Sequence, residues 1–115
     1  MSDNDTIFGK IIRGELPADI VYEDEYCIAF RDINPVAPMH VLVIPREPIA
    51  RLAEAGEEHR ELLGHLMLAA ARVAEQEGHG DAFRVVVNSG ARAGQTVFHL
   101  HLHVIAGRTL SWPPG

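Results

Sequence analysis

The sequence predicts an α+β domain with a mostly antiparallel five-stranded sheet, one long helix and one short N-terminal helix. Two patterns support this fold class. Five short segments are rich in β-branched and aromatic residues and are bounded by turns. Only one segment carries apolar residues at helical spacing over several turns. The 115 residues have room for a single domain, which is expected to span residues 1–115.

The N-terminal helix is predicted to be short. Asp5 is placed to cap it, apolar residues recur at helical spacing from Ile7 to Ile12, and Gly14 is placed to end it. A loop follows the second strand, because Pro35 and Pro38 break the backbone pattern. The predicted strands cover residues 20–22, 26–30, 39–44, 83–88 and 98–105.

The long helix is predicted from Glu57 to Glu77. Its first residues are acidic, which suits the positive end of the helix dipole, and Gly78 suits its C-terminal stop. A further helical turn is predicted at residues 49–52. An apolar stripe along the long helix is expected to pack on the sheet, and it consists of Leu62, Leu66, Ala69, Ala70 and Val73.

Composition excludes several classes of protein. The formal net charge of −6 argues against a nucleic-acid polymer as the partner, although it allows a mononucleotide. No apolar run approaches the roughly 20 residues of a membrane span, and the N-terminus lacks the pattern of a signal peptide, so a cytoplasmic location is expected. Cys27, the single cysteine, is expected to be a small core residue.

Three of the seven histidines, His99, His101 and His103, alternate with apolar residues near the C-terminus. On a strand, alternate side chains share a face, so the three imidazoles are expected to point the same way. The core-facing positions would then be Phe98, Leu100, Leu102 and Val104. Thr, Lys or Glu would serve equally well on a plain solvent face, so the alternation indicates chemistry.

Two kinds of chemistry fit these imidazoles. Strand histidines at i and i+2 can share zinc, with His40 as a further ligand, but the first and third lie roughly 13 Å apart along an extended strand. No cysteine or acidic residue stands beside them in the sequence. The favoured alternative is nucleophilic attack on phosphorus by a neutral imidazole, whose other ring nitrogen donates to a fixed acceptor such as a backbone carbonyl. The flanking histidines would orient the phosphate and help to protonate the leaving group.

The segment 89–96, Ser-Gly-Ala-Arg-Ala-Gly-Gln-Thr, supports the second kind of chemistry. Gly94 permits a close approach of backbone to a ligand, and Gln95 and Thr96 add neutral hydrogen-bond donors. Asn88, just before this loop, is suited either to bind a ligand or to cap the strand end.

The His-x-His-x-His run with apolar spacers resembles the signature of the histidine triad (HIT) superfamily. The resemblance is closest to its nucleotide-binding branch, HINT, and extends over nearly the whole chain. The similar stretches are residues 5–13, 30–35, 38–45, 62–67, 86–88 and 94–98, and the C-terminal Trp-Pro-Pro-Gly at 112–115.

The resemblance implies a HIT-like fold and a homodimer whose two sheets join into one. It implies hydrolysis of purine nucleoside phosphoramidates, with no cofactor and no obligatory metal. His101 corresponds to the nucleophile, and the histidine cluster is completed by His99, His103 and His40. The residues on the phosphate side correspond to Asn88, Gly94, Gln95, Thr96 and Val97. The ribose hydroxyls correspond to Asp32, and the base pocket to Phe8, Ile11, Leu16, Ile33 and Leu42. Trp112 belongs to a tail that reaches toward the site of the other subunit.

Two positions depart from the family pattern, since Thr96 stands where many relatives carry serine and Arg31 where some carry histidine. Two alternatives to the phosphoramidase also remain. One is a non-catalytic module that binds a purine nucleotide in the same pocket. The other is a dinucleoside polyphosphate hydrolase, a sister branch that shares the triad but lacks the Trp-Pro-Pro-Gly tail.

Overall fold

The computed structural model describes residues 6–115, and its centre is a five-stranded antiparallel sheet, as predicted. The strands pair in the order β1-β2-β3-β5-β4, so that β1 and β4 form the two edges. Every pairing is antiparallel. The strands are β1 Ile20–Glu23, β2 Cys27–Arg31, β3 Met39–Pro45, β4 Phe83–Val86 and β5 Leu102–Ala106.

Helix α1 spans Ile7–Ile12 and helix α2 spans Arg60–Gln76. Thr6 caps α1, because its side-chain oxygen accepts a hydrogen bond from the Gly9 amide at 3.1 Å. Asp5, the cap expected from the sequence, lies outside the described residues. Short 3-10 turns cover Leu52–Glu54, Glu57–His59 and Ala91–Ala93, so the first of them replaces the helical turn predicted at 49–52.

The sheet carries a hydrophobic core on each face, and this explains the uninterrupted burial of β3. Side chains on the α2 side include Val41 and Val43, whereas Leu42 and Ile44 belong to the other side, where they meet Phe8 of α1. Alternate residues of a strand face opposite sides, so a strand covered on both faces reads as a continuous apolar run. The expectation that Cys27 is a core residue is confirmed, because it is fully buried on the α2 side.

The strand predicted at residues 98–105 begins only at Leu102. Before it, the Leu100 amide donates to the carbonyl of Ile49 at 2.6 Å, so this stretch is bound to a loop and not to a neighbouring strand. Leu100, Leu102 and Val104 enter the α2-side core as predicted. Phe98 does not, since it remains 41% exposed. The strand predicted at 83–88 likewise ends at Val86.

Within residues 6–115, no helix has both the length and the apolarity needed to cross a membrane.

Candidate active site

The three alternating histidines lie on the α1 side of the sheet, opposite the core that receives Leu100 and Leu102. Only His103 stands within β5, whereas His99 and His101 belong to the irregular segment before it. The His101 ring lies edge-on to Phe8 with centroids 5.0 Å apart, and it lies 5.0 Å from the His103 ring. The predicted common orientation of the imidazoles therefore survives the loss of regular strand geometry.

One ring nitrogen of His101 is hydrogen-bonded, and the other has no hydrogen-bond partner within residues 6–115. Its Nδ1 lies 2.8 Å from the backbone carbonyl oxygen of His99. A carbonyl can only accept, so Nδ1 carries the proton and Nε2 keeps its lone pair. Burial lowers the pKa of His101, because it disfavours the charged imidazolium. The ring is therefore neutral near pH 7, in the tautomer that nucleophilic attack requires.

His40 and His103 form a directly hydrogen-bonded pair, with Nε2 of His40 2.9 Å from Nδ1 of His103. The Val36 amide donates to Nδ1 of His40 at 3.2 Å. That bond places the proton of His40 on Nε2, so His40 donates to His103. His103 consequently accepts at Nδ1 and carries its own proton on Nε2. Burial, reinforced by the neighbouring His101 and His40, lowers the pKa of His103 to about 4.

His99 lies behind His101, and its ring does not line the cavity. Its Nε2 lies 2.7 Å from the carbonyl oxygen of Pro45, so it donates to the end of β3, and the ring is completely buried. Burial lowers the pKa of His99 as well. Its backbone carbonyl is the acceptor that orients His101.

Asp32 lies close to the histidine pair, which the sequence did not reveal. One carboxylate oxygen accepts from the Asn34 amide at 2.8 Å, as expected for a residue that caps a turn before Pro35. The other oxygen lies 3.5 Å from Nε2 of His40. No acidic residue adjoins the three histidines in the sequence, but the loop after β2 folds Asp32 back onto β3 and so brings a carboxylate to the histidine pair.

A cavity of about 270 Å³ opens in front of His101 and His103. Of the residues predicted for the site, those that line it are Phe8, Ile11, Asp32, Ile33, Leu42, Thr96, Val97, His101 and His103. Those that do not line it are Leu16, His40, Asn88, Gly94, Gln95, His99 and Trp112. The lining residues that sequence reasoning missed are Ile7, Phe30, Arg31 and Asn34. The alternation along β2 could have revealed Phe30. Ala29 faces the core on the α2 side, so its neighbour Phe30 faces the α1 side, where the cavity lies.

The glycine-rich loop next to the cavity is held by Gln95 from within. The Gln95 side chain is buried, donates to the carbonyls of Ala50 and Val97, and accepts from the Gly90 amide at 2.8 Å. It therefore shapes the loop rather than presenting a donor to the cavity. Gly94 has a φ of +100° and leaves space beside the amide group of Asn88. Trp112 is 82% exposed.

Arg31, one of the departures from the family pattern, is bound by two carboxylates. Its Nη1 lies 2.7 Å from Glu77, and its Nε lies 3.2 Å from Asp19. The positive charge at the cavity wall is thus neutralised by the protein itself.

Asp32, His40 and His103 place three metal-ligating atoms within 4.8 Å of one another. As arranged, they do not fit a metal ion. Because Val36 donates to Nδ1 of His40, the Nε2 that faces the other two residues carries a proton and has no lone pair to give. A metal would have to displace that proton and break the Val36 hydrogen bond.

A second group of potential ligands, Asp24, Cys27 and His65, lies away from this cavity. Asp24 is already saturated, because it accepts from Tyr22, from His65 and from the amides of Tyr26 and Cys27. Burial raises the pKa of the Cys27 thiol to about 12, so a thiolate ligand is strongly disfavoured. His65 gave no sequence signal for this contact, since its partner is 41 residues away.

Known proteins resemble this chain in both sequence and structure. An uncharacterized HIT-like protein of Synechococcus elongatus is 61% identical over 111 residues, which cover 96% of this chain and 97% of that protein. The 14 kDa zinc-binding protein of Zea mays is 50% identical over 117 residues, covering all of this chain and 91% of the maize protein.

Among solved structures, a HIT family hydrolase from Legionella pneumophila superposes with a TM-score of 0.94 at 42% identity, covering 96% of this chain and 100% of that one. A HIT family hydrolase from Clostridium thermocellum gives a TM-score of 0.90 at 47% identity, covering 93% and 94% of the two chains. Residues 13–110 match the HIT domain. The chain is therefore a member of the HIT domain family.

Proposed function

We propose that this protein is a purine nucleoside phosphoramidase that acts through a covalent nucleotidyl–His101 intermediate. One observation carries the proposal, namely the 2.8 Å contact between Nδ1 of His101 and the carbonyl of His99. It leaves the lone pair of Nε2 on a neutral ring that lines the cavity. The names of the two HIT family hydrolases agree with hydrolysis in general, but they do not say which bond is hydrolysed.

In the first step, Nε2 of His101 forms a bond to phosphorus and the phosphorus–nitrogen bond breaks. The electron pair of that bond goes to the leaving nitrogen, which accepts a hydrogen bond from the Nε2–H of His103 and takes a proton from water at the cavity mouth. In the second step, a water oxygen attacks phosphorus, the bond to His101 breaks, and the proton that this water releases neutralises the hydroxide left by the first step. The products are the nucleoside monophosphate, the amine and the restored neutral imidazole.

The cavity walls suit the two ends of a nucleoside. Phe8, Ile11 and Leu42 provide apolar surface for a purine base, and Ile33, which is 91% exposed, stands at the mouth. The Asp32 carboxylate is placed to accept from ribose hydroxyls, which would favour ribonucleotides. Thr96 lies on the phosphate side, next to the loop that Gln95 holds.

The proposed functional unit is a homodimer in which the Trp112 tail of one subunit reaches toward the other subunit's cavity. The exposure of Trp112 supports this, as does the position of β4 as an edge strand with a partner on one side only.

The test is single-turnover hydrolysis of adenosine 5′-phosphoramidate. The reaction is stopped without acid, and the protein is then analysed by mass spectrometry. Wild type should turn over rapidly and carry one adenylyl group on His101, while His101→Ala should lose several factors of ten in rate. His79→Ala is the matched control, because His79 lies in the turn after α2 and does not line the cavity. Saturable AMP binding without turnover would instead establish a binding module. Cleavage of diadenosine tetraphosphate in preference to the phosphoramidate would establish the sister activity.

A further inference from the structure

Val36 is held by hydrogen bonds on both sides of its α-carbon. Its amide donates to Nδ1 of His40 at 3.2 Å, and its carbonyl accepts from Nε of Arg108 at 3.0 Å. The two bonds belong to neighbouring peptide groups, so Arg108 acts on the first by fixing the position of Val36. Arg108 also donates to the carbonyl of Thr109 at 3.2 Å, which restrains the guanidinium.

The backbone brings Arg108 to this loop by a close approach. Arg108 follows β5, the strand that carries His103, and Gly107 between them has a φ of +96°. A Cβ atom at Gly107 would lie 2.8 Å from the Cβ of Pro38, so the end of β5 lies directly against the loop that contains Val36. The contact is thus part of the fold rather than the chance reach of a long side chain.

We propose that Arg108 is a positioning residue that keeps the His40–His103 pair in one tautomer through Val36. This inference rests on the proposed function. With Val36 in place, His40 keeps its proton on Nε2 and His103 keeps its proton on Nε2 for the leaving group. If Val36 moves away, His40 loses the donor that keeps Nδ1 unprotonated, and only the Asp32 carboxylate, 3.5 Å from Nε2, still favours a proton there. A fraction of the molecules then carries the His40 proton on Nδ1. In that fraction the shared bond reverses, His103 donates from Nδ1, and its Nε2 has no proton to offer.

The effect of losing the Nε2 proton of His103 on the rate depends on the leaving group. A basic amine that departs with an electron pair needs the His103 hydrogen bond, whereas a weakly basic leaving group such as 4-nitrophenolate departs without it. A residue that merely supports the fold would affect both kinds of substrate alike. The ratio of the two rates therefore isolates the positioning role.

The experiment compares wild type, Arg108→Ala and Arg108→Lys on an adenosine 5′-phosphoramidate with an alkylamine leaving group and on adenosine 5′-(4-nitrophenyl phosphate). For Arg108→Ala we expect kcat to fall about tenfold on the phosphoramidate, the value of one hydrogen bond, and to stay within about twofold on the nitrophenyl ester. Arg108→Lys, which keeps a cationic donor, should recover part of the loss. Arg46→Ala is the matched control, because Nε of Arg46 also donates to a turn carbonyl, that of Asp24, away from the cavity.

A second measurement does not require turnover. Nitrogen-15 NMR of the histidine rings reports which nitrogen of His40 and His103 is protonated, and Arg108→Ala should show a mixture where wild type shows one form. Equal rate losses on both substrates, or an unchanged tautomer in Arg108→Ala, would overturn the inference. A wild-type protein that cleaves neither substrate would instead overturn the proposed function, while the NMR comparison would still decide the role of Arg108.

Discussion

The carbonyl oxygen of His99 lies 2.8 Å from Nδ1 of His101, so the first histidine of the triad orients the second through its backbone and not through its ring. The His99 ring has a separate contact, the 2.7 Å hydrogen bond from its Nε2 to the carbonyl of Pro45. Its Nδ1 is buried without a hydrogen-bond partner among the described residues. The two histidines therefore differ in what their side chains contribute.

This difference predicts that His99→Gln retains activity where His101→Gln does not. Glutamine at position 99 keeps an N–H donor for Pro45 and leaves the backbone carbonyl in place, so kcat should stay within about tenfold of wild type, whereas His101→Gln should lose at least about a thousandfold. Steady-state hydrolysis of an adenosine phosphoramidate measures both, with circular dichroism to verify folding. Comparable losses in two folded variants would mean that the His99 ring takes part in the chemistry.

The buried histidines predict that acid destabilises the fold. The pKa of His103 falls from the ordinary 6.5 to about 4, and those of His99 and His101 are also lowered. Between about pH 4 and pH 6.5 the unfolded chain binds more protons than the native protein, so acid favours unfolding. The stabilising contribution of a neutral His103 is complete above about pH 6.5 and is lost as the pH falls toward about 4.

Urea unfolding at several pH values between about 7 and about 4.5 measures this effect. Wild type should lose stability steadily below pH 6.5. His103→Asn removes one of the groups with a lowered pKa, so its stability should fall less steeply over the same interval. If the two proteins had the same slope, protonation of His103 would not be coupled to folding.

Gly107 predicts a cost for any side chain at the end of β5. Gly107→Ala adds both a positive φ for a residue with a Cβ and a contact with Pro38 at 2.8 Å. Gly78→Ala is the matched control, since Gly78 has a φ of +87° but open space around it. We expect Gly78→Ala to lower the free energy of unfolding by about 1 kcal/mol and Gly107→Ala by about 2–3 kcal/mol. Urea denaturation measures the free energy of unfolding of both variants. Equal losses would show that the loop at Pro38 moves to accommodate the new methyl group at little cost.

Much of this fold could be predicted because its signals are local. The apolar stripe of α2, Gly78 at its C-terminal end and the apolar run of β3 each depend on residues a few positions apart. The limits of β5 could not be predicted. The pattern at 98–101 suits a strand, but the Leu100 amide is bound by Ile49, a partner that only the tertiary structure supplies.

The candidate site also combines features that local sequence predicts with features that only tertiary contacts determine. The alternation of His99, His101 and His103 predicts their common orientation, which the structure retains although only His103 of the three stands within β5. The position of Asp32 near His40 could not be predicted, because it follows from the turn that the Asn34 amide closes. The buried role of Gln95 was also hidden, since one of its partners, Ala50, is 45 residues away.

The proposed homodimer predicts that one charged substitution on α2 separates the subunits. Leu68 is 71% exposed and Met67 is its exposed neighbour, although both are apolar residues within a long helix. A second subunit would remove this surface from water, and about 25 cal/mol per Å² favours such burial. Leu68→Glu would place a charge there, so light scattering at micromolar concentration should give twice the chain mass for wild type and the chain mass for the variant. Leu52→Glu is the control, because Leu52 is also exposed but lies in the 3-10 turn Leu52–Glu54. A wild-type monomer at that concentration would refute the dimer, and a dimeric Leu68→Glu protein would place its interface elsewhere.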